Sequence, residues 1–218
     1  MRRARARHGV FPPEVRALAS KSVELTMKLL GAKPRLSAIT ENLKKQQGKY
    51  LASHSIMLAE LCCAIACKVG WNSAPTFFKL TLASYLHDIP LKSNELARCQ
   101  TLEEAKVVCA QSAEGLNAFK LHPARAAEFA RKFNEIPPDV DTIIVQHHER
   151  PDGTGFPRGL FQSQLAPLAC LFIIAEDMLH FFLENPNEGD LNGFVAARSE
   201  VYQGGIFKKI IKSLAAPS

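Results

Sequence analysis

Apolar residues recur at three- and four-residue intervals along most of this chain, the spacing that lines one face of an α-helix, and no stretch alternates as a strand would. Residues 14–30, EVRALASKSVELTMKLL, predict an amphipathic helix that stops at Gly31. Pro34 separates it from a more polar helix, SAITENLKKQQGKY. Residues 50–69 are apolar nearly all round and end at Gly70, which marks a helix inside the core. His54 and Glu60 interrupt it. Residues 74–87 predict another apolar helix, and Pro90 follows closely enough to put His87-Asp88 at its C-terminal end.

A polar helix is expected from Leu102 to about Phe119, with Thr101 as its cap and Glu103 and Glu104 in its first turn, where they complement the helix dipole. Pro123 suits a first turn, so His122-Pro123 is read as the start of ARAAEFARKF. Pro137-Pro138 begin DVDTIIVQHHE, which carries His147-His148 at its end. The loop RPDGTGFPRG has the glycine and proline content that fixes turns. Residues 165–183 predict a strongly apolar helix carrying Glu176, Asp177 and His180, and helices near 193–202 and 206–214 complete the chain. The expectation is an all-α fold: one multi-helix domain over residues 50–218, preceded by a basic tail and helical extension over 1–49 that packs on the domain or mediates a homodimer.

With 218 residues, 47% of them hydrophobic, the chain can build one sizeable core. Its formal charge of +6 favours anionic ligands, but Arg2, Arg3, Arg5 and Arg7 concentrate much of that charge in the tail. After those arginines, HGVFPPEV lacks the apolar stretch of a signal peptide, and PLACLFIIA is too short to span a bilayer. A cytoplasmic protein without membrane contact is therefore expected. The six cysteines form no C-x-x-C pair and read as buried, reduced thiols.

Six of the seven histidines stand in or beside apolar helices or at their ends, where an uncompensated ring costs about 1–3 kcal/mol. Each alone could be a hydrogen-bonded core or capping residue. Together, His54, His87-Asp88, His122 and His147-His148 punctuate separate helices, so a bundle could converge them on one point. Imidazoles with one or two carboxylates suit iron, manganese, zinc or nickel better than magnesium or calcium. Asp88 could bridge two such cations through its two oxygens, the arrangement that serves in-line phosphoryl displacement.

The order His54, L-H-D-I at Leu86 to Ile89, K-x-H-P at Lys120 to Pro123, and H-H-E-R-P-D-G-T-G-F-P-R-G-L at His147 to Leu160 resembles the HD-GYP branch of the HD superfamily. The resemblance covers roughly residues 50–182. It implies an all-α domain, hydrolysis of cyclic di-GMP by a hydroxide shared between metals, and a centre of iron or manganese. Carried over by position, it makes His54, His87, Asp88, His122, His147 and His148 metal ligands, with Asp88 between two metals as the catalytic bridge. The last ligand falls on Glu176 when the alanines are aligned, with Asp177 as the competitor. His180, one turn later, is read as a core residue or a support to the ligands. Arg150, Asp152, Arg125 and Arg158 are the candidates for contact with substrate.

Four departures bear on activity. The lysine after the family's H-D-I-G is Leu91, with Lys92 one residue out of register; the motif tyrosine is Phe156; the stretch that supplies a phosphate-binding arginine is LHFFLENPNEGD; and the glutamate of trinuclear members is Tyr50, which favours two metals. Three readings follow: a cyclic di-GMP phosphodiesterase, a signalling module that keeps its metals and binds a cyclic dinucleotide or a protein partner, and, more remotely, a diiron oxygenase.

Overall fold

The computed structural model describes residues 21, 24, 50–91, 93–134, 136–185 and 190–216. The tail, the extension and the dimer contact expected in residues 1–49 fall outside the described residues apart from Lys21 and Glu24, as does Lys92. Among the described residues the domain is eight α-helices without a strand: α1 (Tyr50–Lys68), α2 (Ala74–Leu86), α3 (Leu102–Val108), α4 (Ala113–Ala130), α5 (Val140–Gln146), α6 (Pro167–Glu184), α7 (Leu191–Arg198) and α8 (Gly205–Ala215). None is long and apolar enough to cross a membrane.

The two most apolar segments form the centre. Helix α1 packs on α2 and α6, α2 packs on α5, and α5 is held between α4 and α6. Leu58, Leu61, Ile65, Leu80, Phe172 and Ile173 are fully buried at this junction, and burying each such side chain contributes about 1.5–3 kcal/mol. Cys62, Cys63, Cys99 and Cys170 are buried, and all six cysteines are free thiols, as the absence of paired spacing predicts. Burial pushes the Cys63 and Cys170 thiols up to about 12, so they behave as small apolar side chains.

The helix starts follow local chemistry. Ser73 accepts from Thr76 N–H at the start of α2, and Thr101 and Glu104 form a reciprocal capping box on α3. The single helix expected from Leu102 to Phe119 is instead two. Ala110 and Gln111 take φ of +46° and +63°, which turns the chain, and the Ser112 hydroxyl then accepts from Gly115 N–H to begin α4. Helix α4 runs unbroken through His122-Pro123, so the reading of Pro123 as a helix start is corrected. Proline has no N–H, which strips the Phe119 carbonyl of its partner one turn back. His122 Nδ1 takes that carbonyl at 2.6 Å, and the proline thereby sets the ring that precedes it.

Candidate metal centre

Three histidines share one device. His87 Nδ1 lies 2.9 Å from the Ser84 carbonyl, His122 Nδ1 2.6 Å from that of Phe119, and His147 Nδ1 2.6 Å from that of Ile144. A carbonyl only accepts, so each Nδ1 carries a proton and each ring turns its Nε2 inward. Ser84 and Ile144 belong to the last turns of α2 and α5, where carbonyls lack helical amides. The sequence places His87 and His147 at helix ends, and this is what those ends provide.

These Nε2 atoms converge on Asp88, which is 7% exposed. His87 Nε2 stands 3.3 Å from Asp88 Oδ2, while His122 Nε2 stands 3.2 Å and His147 Nε2 3.8 Å from Oδ1. The two oxygens thus face two neighbouring sets of donors. On one side are His54, His87 and Asp88; on the other are Asp88, His122, His147 and His148, with the ligand atoms of each set within 4.8 Å of one another. Glu176 Oε1 approaches the first set, 3.8 Å from His87 Nε2 and 3.9 Å from His54 Nε2.

His122 Nε2 and His147 Nε2 meet at 3.3 Å although both Nδ1 atoms hold the ring protons, so two lone pairs face each other. Asp88 Oδ1, His148 Nδ1 and Glu176 Oε2 are buried without a hydrogen-bond partner. Clustered lone pairs in a dry interior cost free energy unless something positive sits among them. A divalent cation fits that need, and the nitrogen-oxygen donor set suits a transition metal.

The electrostatics favour neutral imidazoles at His54, His147 and His148. Burial lowers His54 to about 3 and pushes His147 and His148 well below the ordinary range. Burial alone would lower His87, but the Asp88 carboxylate overrides it and raises His87 to about 9. Burial raises the Glu176 carboxyl to about 7.

Asp177 faces away from the cluster. It accepts from Arg198 Nε at 2.9 Å and from the Tyr202 hydroxyl at 2.9 Å, and so ties α6 to α7 and the segment after it. Between the two acidic candidates, only Glu176 reaches the histidines.

The loop after His148 is fastened by Glu149, a fully buried residue. Its Oε1 accepts from Arg158 N–H at 2.9 Å and its Oε2 from Leu160 N–H at 2.8 Å. A Cβ at Gly155 would collide with Arg150 N and Glu149 Cα, so the close return of the loop needs glycine there. Phe156 stacks on His148 with ring centroids 4.5 Å apart and packs against Phe119 at 5.3 Å. The ring performs this packing without a hydroxyl. Leu91 joins the same cluster, so an apolar side chain packs where the resemblance calls for lysine.

A cavity of about 430 Å³ opens beside His148 and is lined by Gln100, Arg150, Asp152, Thr154, Phe156, Glu103 and Glu200 among others. Arg150 donates through Nη2 to the Gln100 carbonyl at 3.2 Å and to Gln100 Oε1 at 3.3 Å. Asp152 accepts from Thr154 N–H at 3.0 Å, a local turn within the loop. Arg125 and Arg158 are exposed and do not line this cavity. Gln100 and Glu149 are missed by sequence reasoning; Glu149 sits inside the conspicuous histidine motif, whereas nothing in the sequence distinguishes Gln100.

Comparison with known proteins agrees with this architecture. The HD domain family matches residues 49–180. A cyclic di-GMP phosphodiesterase of Pseudomonas aeruginosa is 25% identical over 175 residues, covering 78% of this chain and 41% of that protein. The solved structure of an HDG"Y"P protein from Bdellovibrio bacteriovorus matches with a TM-score of 0.65 at 23% identity, covering 91% of this chain and 61% of the other. The chain spans less than two thirds of either relative. With the family match extending over the convergent histidines and the loop that follows them, the chain belongs to the HD domain family.

Proposed function

We propose that this chain is a metal-dependent phosphodiesterase that hydrolyses cyclic di-GMP, with His54, His87, Asp88, His122, His147, His148 and Glu176 holding two divalent cations. The observation that carries the reading is the division of Asp88: Oδ2 faces His87 while Oδ1 faces His122 and His147. Iron is the expected metal, with manganese the alternative, on the HD-GYP resemblance, and a donor set of nitrogen and carboxylate oxygen without thiolate is compatible with either. When bound, the cations would supply the nucleophilic hydroxide and the positive charge that a phosphodiester needs as its leaving oxygen departs.

The protein's own part is orientation and exclusion of water. Carbonyl partners fix the rings of His87, His122 and His147, so little reorganisation is needed when charge develops. Phe156 covers one face of His148, and Arg150 offers its guanidinium to a phosphate at the adjoining cavity. Similarity to a cyclic di-GMP phosphodiesterase supports the choice of substrate.

A second reading is favoured by the cavity wall. Glu103, Asp152 and Glu200 line it, and Arg150, which lines it with them, is already engaged by Gln100. That balance disfavours tight capture of two phosphates and suits a module that keeps its metals but signals by binding a cyclic dinucleotide or a protein partner. Iron- or manganese-loaded protein incubated with cyclic di-GMP under reducing conditions separates the two. Formation of the linear dinucleotide, followed by chromatography, supports the enzyme. Calorimetric binding without turnover supports the module, and neither binding nor turnover rejects cyclic di-GMP for both.

A further inference from the structure

His180 lies one helical turn after Glu176 on α6, the i to i+4 spacing that sets two side chains on one face. It is 6% exposed, and it joins His54 and Glu176 in a set of ligand atoms that all lie within 4.8 Å of one another. Its ring centroid is 5.5 Å from that of His54. The Gln100 amide explains which way the ring points. Gln100 Nε2, a donor only, stands 2.8 Å from His180 Nε2 and 3.5 Å from Glu176 Oε1.

His180 therefore presents a lone pair, and the amide nitrogen stands between an imidazole acceptor and a carboxylate acceptor. A cation would be bound by the same two acceptors from the same side. Glu176 Oε2, buried without a hydrogen-bond partner, adds a third potential ligand atom to this corner. An adjacent face of α6 is anchored through Asp177 to Arg198 and Tyr202, which fixes the rotation that turns Glu176 and His180 inward together.

We propose that His180 is a metal ligand in this chain: with His54 and Glu176 it holds the cation on the Glu176 side of Asp88, and the Gln100 amide is the group that cation displaces. The inference rests on the metal-centre reading above and extends it to a residue that the sequence alone reads as a core residue or a support to the ligands. Gln100 then acts as a competitor for two ligands, and the metal on this side should bind more weakly than the one among His122, His147 and His148.

The test uses the full chain, stripped with a chelator and reloaded with cobalt(II). Each ligating imidazole of a paramagnetic centre gives a strongly shifted, exchangeable ring N–H resonance. Wild-type protein is expected to show six, one for each of His54, His87, His122, His147, His148 and His180. His180→Phe, which keeps a ring beside His54, should show five and lose about tenfold or more in affinity for the weaker cobalt ion. Gln100→Leu should keep six resonances and bind that ion more tightly. Wild-type protein that takes up two cobalt ions with only five shifted resonances overturns the proposal while leaving the metal centre intact. Wild-type protein that takes up no cobalt overturns both. The wild-type resonance count decides between these outcomes, so poor folding of a variant changes neither.

Discussion

Replacing Glu149 by alanine removes a carboxylate that never meets solvent yet holds the loop beside the metal ligands. Two backbone donors, Arg158 N–H at 2.9 Å and Leu160 N–H at 2.8 Å, lose their acceptor together. Hydrogen bonds to a charged group contribute about 1.5–3 kcal/mol each, and the Glu149 side chain has no exposed surface at which bulk water could take its place. The expected loss is about 3–5 kcal/mol, near the upper limit for a single substitution. For a chain of this size that is a fall in melting temperature of about 10 °C. Glu149→Gln keeps one acceptor but aims an amide N–H₂ at the other donor, so its loss should be about half. Urea denaturation followed by circular dichroism gives both values. A loss under about 1 kcal/mol for the alanine variant would refute the reasoning, because it would mean that the loop is held by other contacts.

Metal affinity should fall as pH is lowered from 8 to 6. Burial raises the Glu176 carboxyl to about 7 and the Asp88 carboxylate raises His87 to about 9, so each must shed a proton before it can ligate and protons compete with the metal below those values. Calorimetry in two buffers of different ionisation enthalpy should show proton release on manganese binding, and pH-independent affinity would contradict it. Asp177→Ala should cost about 1–3 kcal/mol, because it leaves the Tyr202 hydroxyl buried without its acceptor, while metal content stays at the wild-type value. Loss of metal in that variant would reverse the roles given to Asp177 and Glu176. Gly155→Ala should destabilise the protein by about 3 kcal/mol, since backbone atoms of Glu149 and Arg150 block the new methyl group, and an unchanged melting curve would show that the loop can shift aside.

The parts of this molecule legible in its sequence are those fixed by periodic burial or by a local cap. Helices α1, α2 and α6 follow from apolar residues at helical spacing, and Thr101 with Glu104 announces the start of α3. The break between α3 and α4 is less visible, because Ala110 and Gln111 are ordinary helix formers held at positive φ by the turn that Ser112 then caps. Pro123 misleads for a different reason: proline usually opens a helix, and here the neighbouring His122 ring takes the carbonyl that the missing N–H would have bonded.

For the candidate site, the histidines and Asp88 are readable because so many buried imidazoles need a common partner. Glu176 and Asp177 cannot be separated from spacing alone. Adjacent positions on a helix point about 100° apart, and only packing shows that one meets His87 while the other meets Arg198. Gln100 is invisible because its role comes from chain folding between α2 and α3, which brings it to His180 and Arg150 from 80 and 50 residues away.

That Asp88 joins two cations is the central claim, and elemental analysis of the purified protein, wild type beside Asp88→Ala, tests it most directly. Wild-type protein should carry two equivalents of iron or manganese, and the alanine variant, having lost the group common to both donor sets, should carry less than one. Wild-type protein free of divalent metal after reconstitution, or an Asp88→Ala variant that retains two equivalents, would contradict the account.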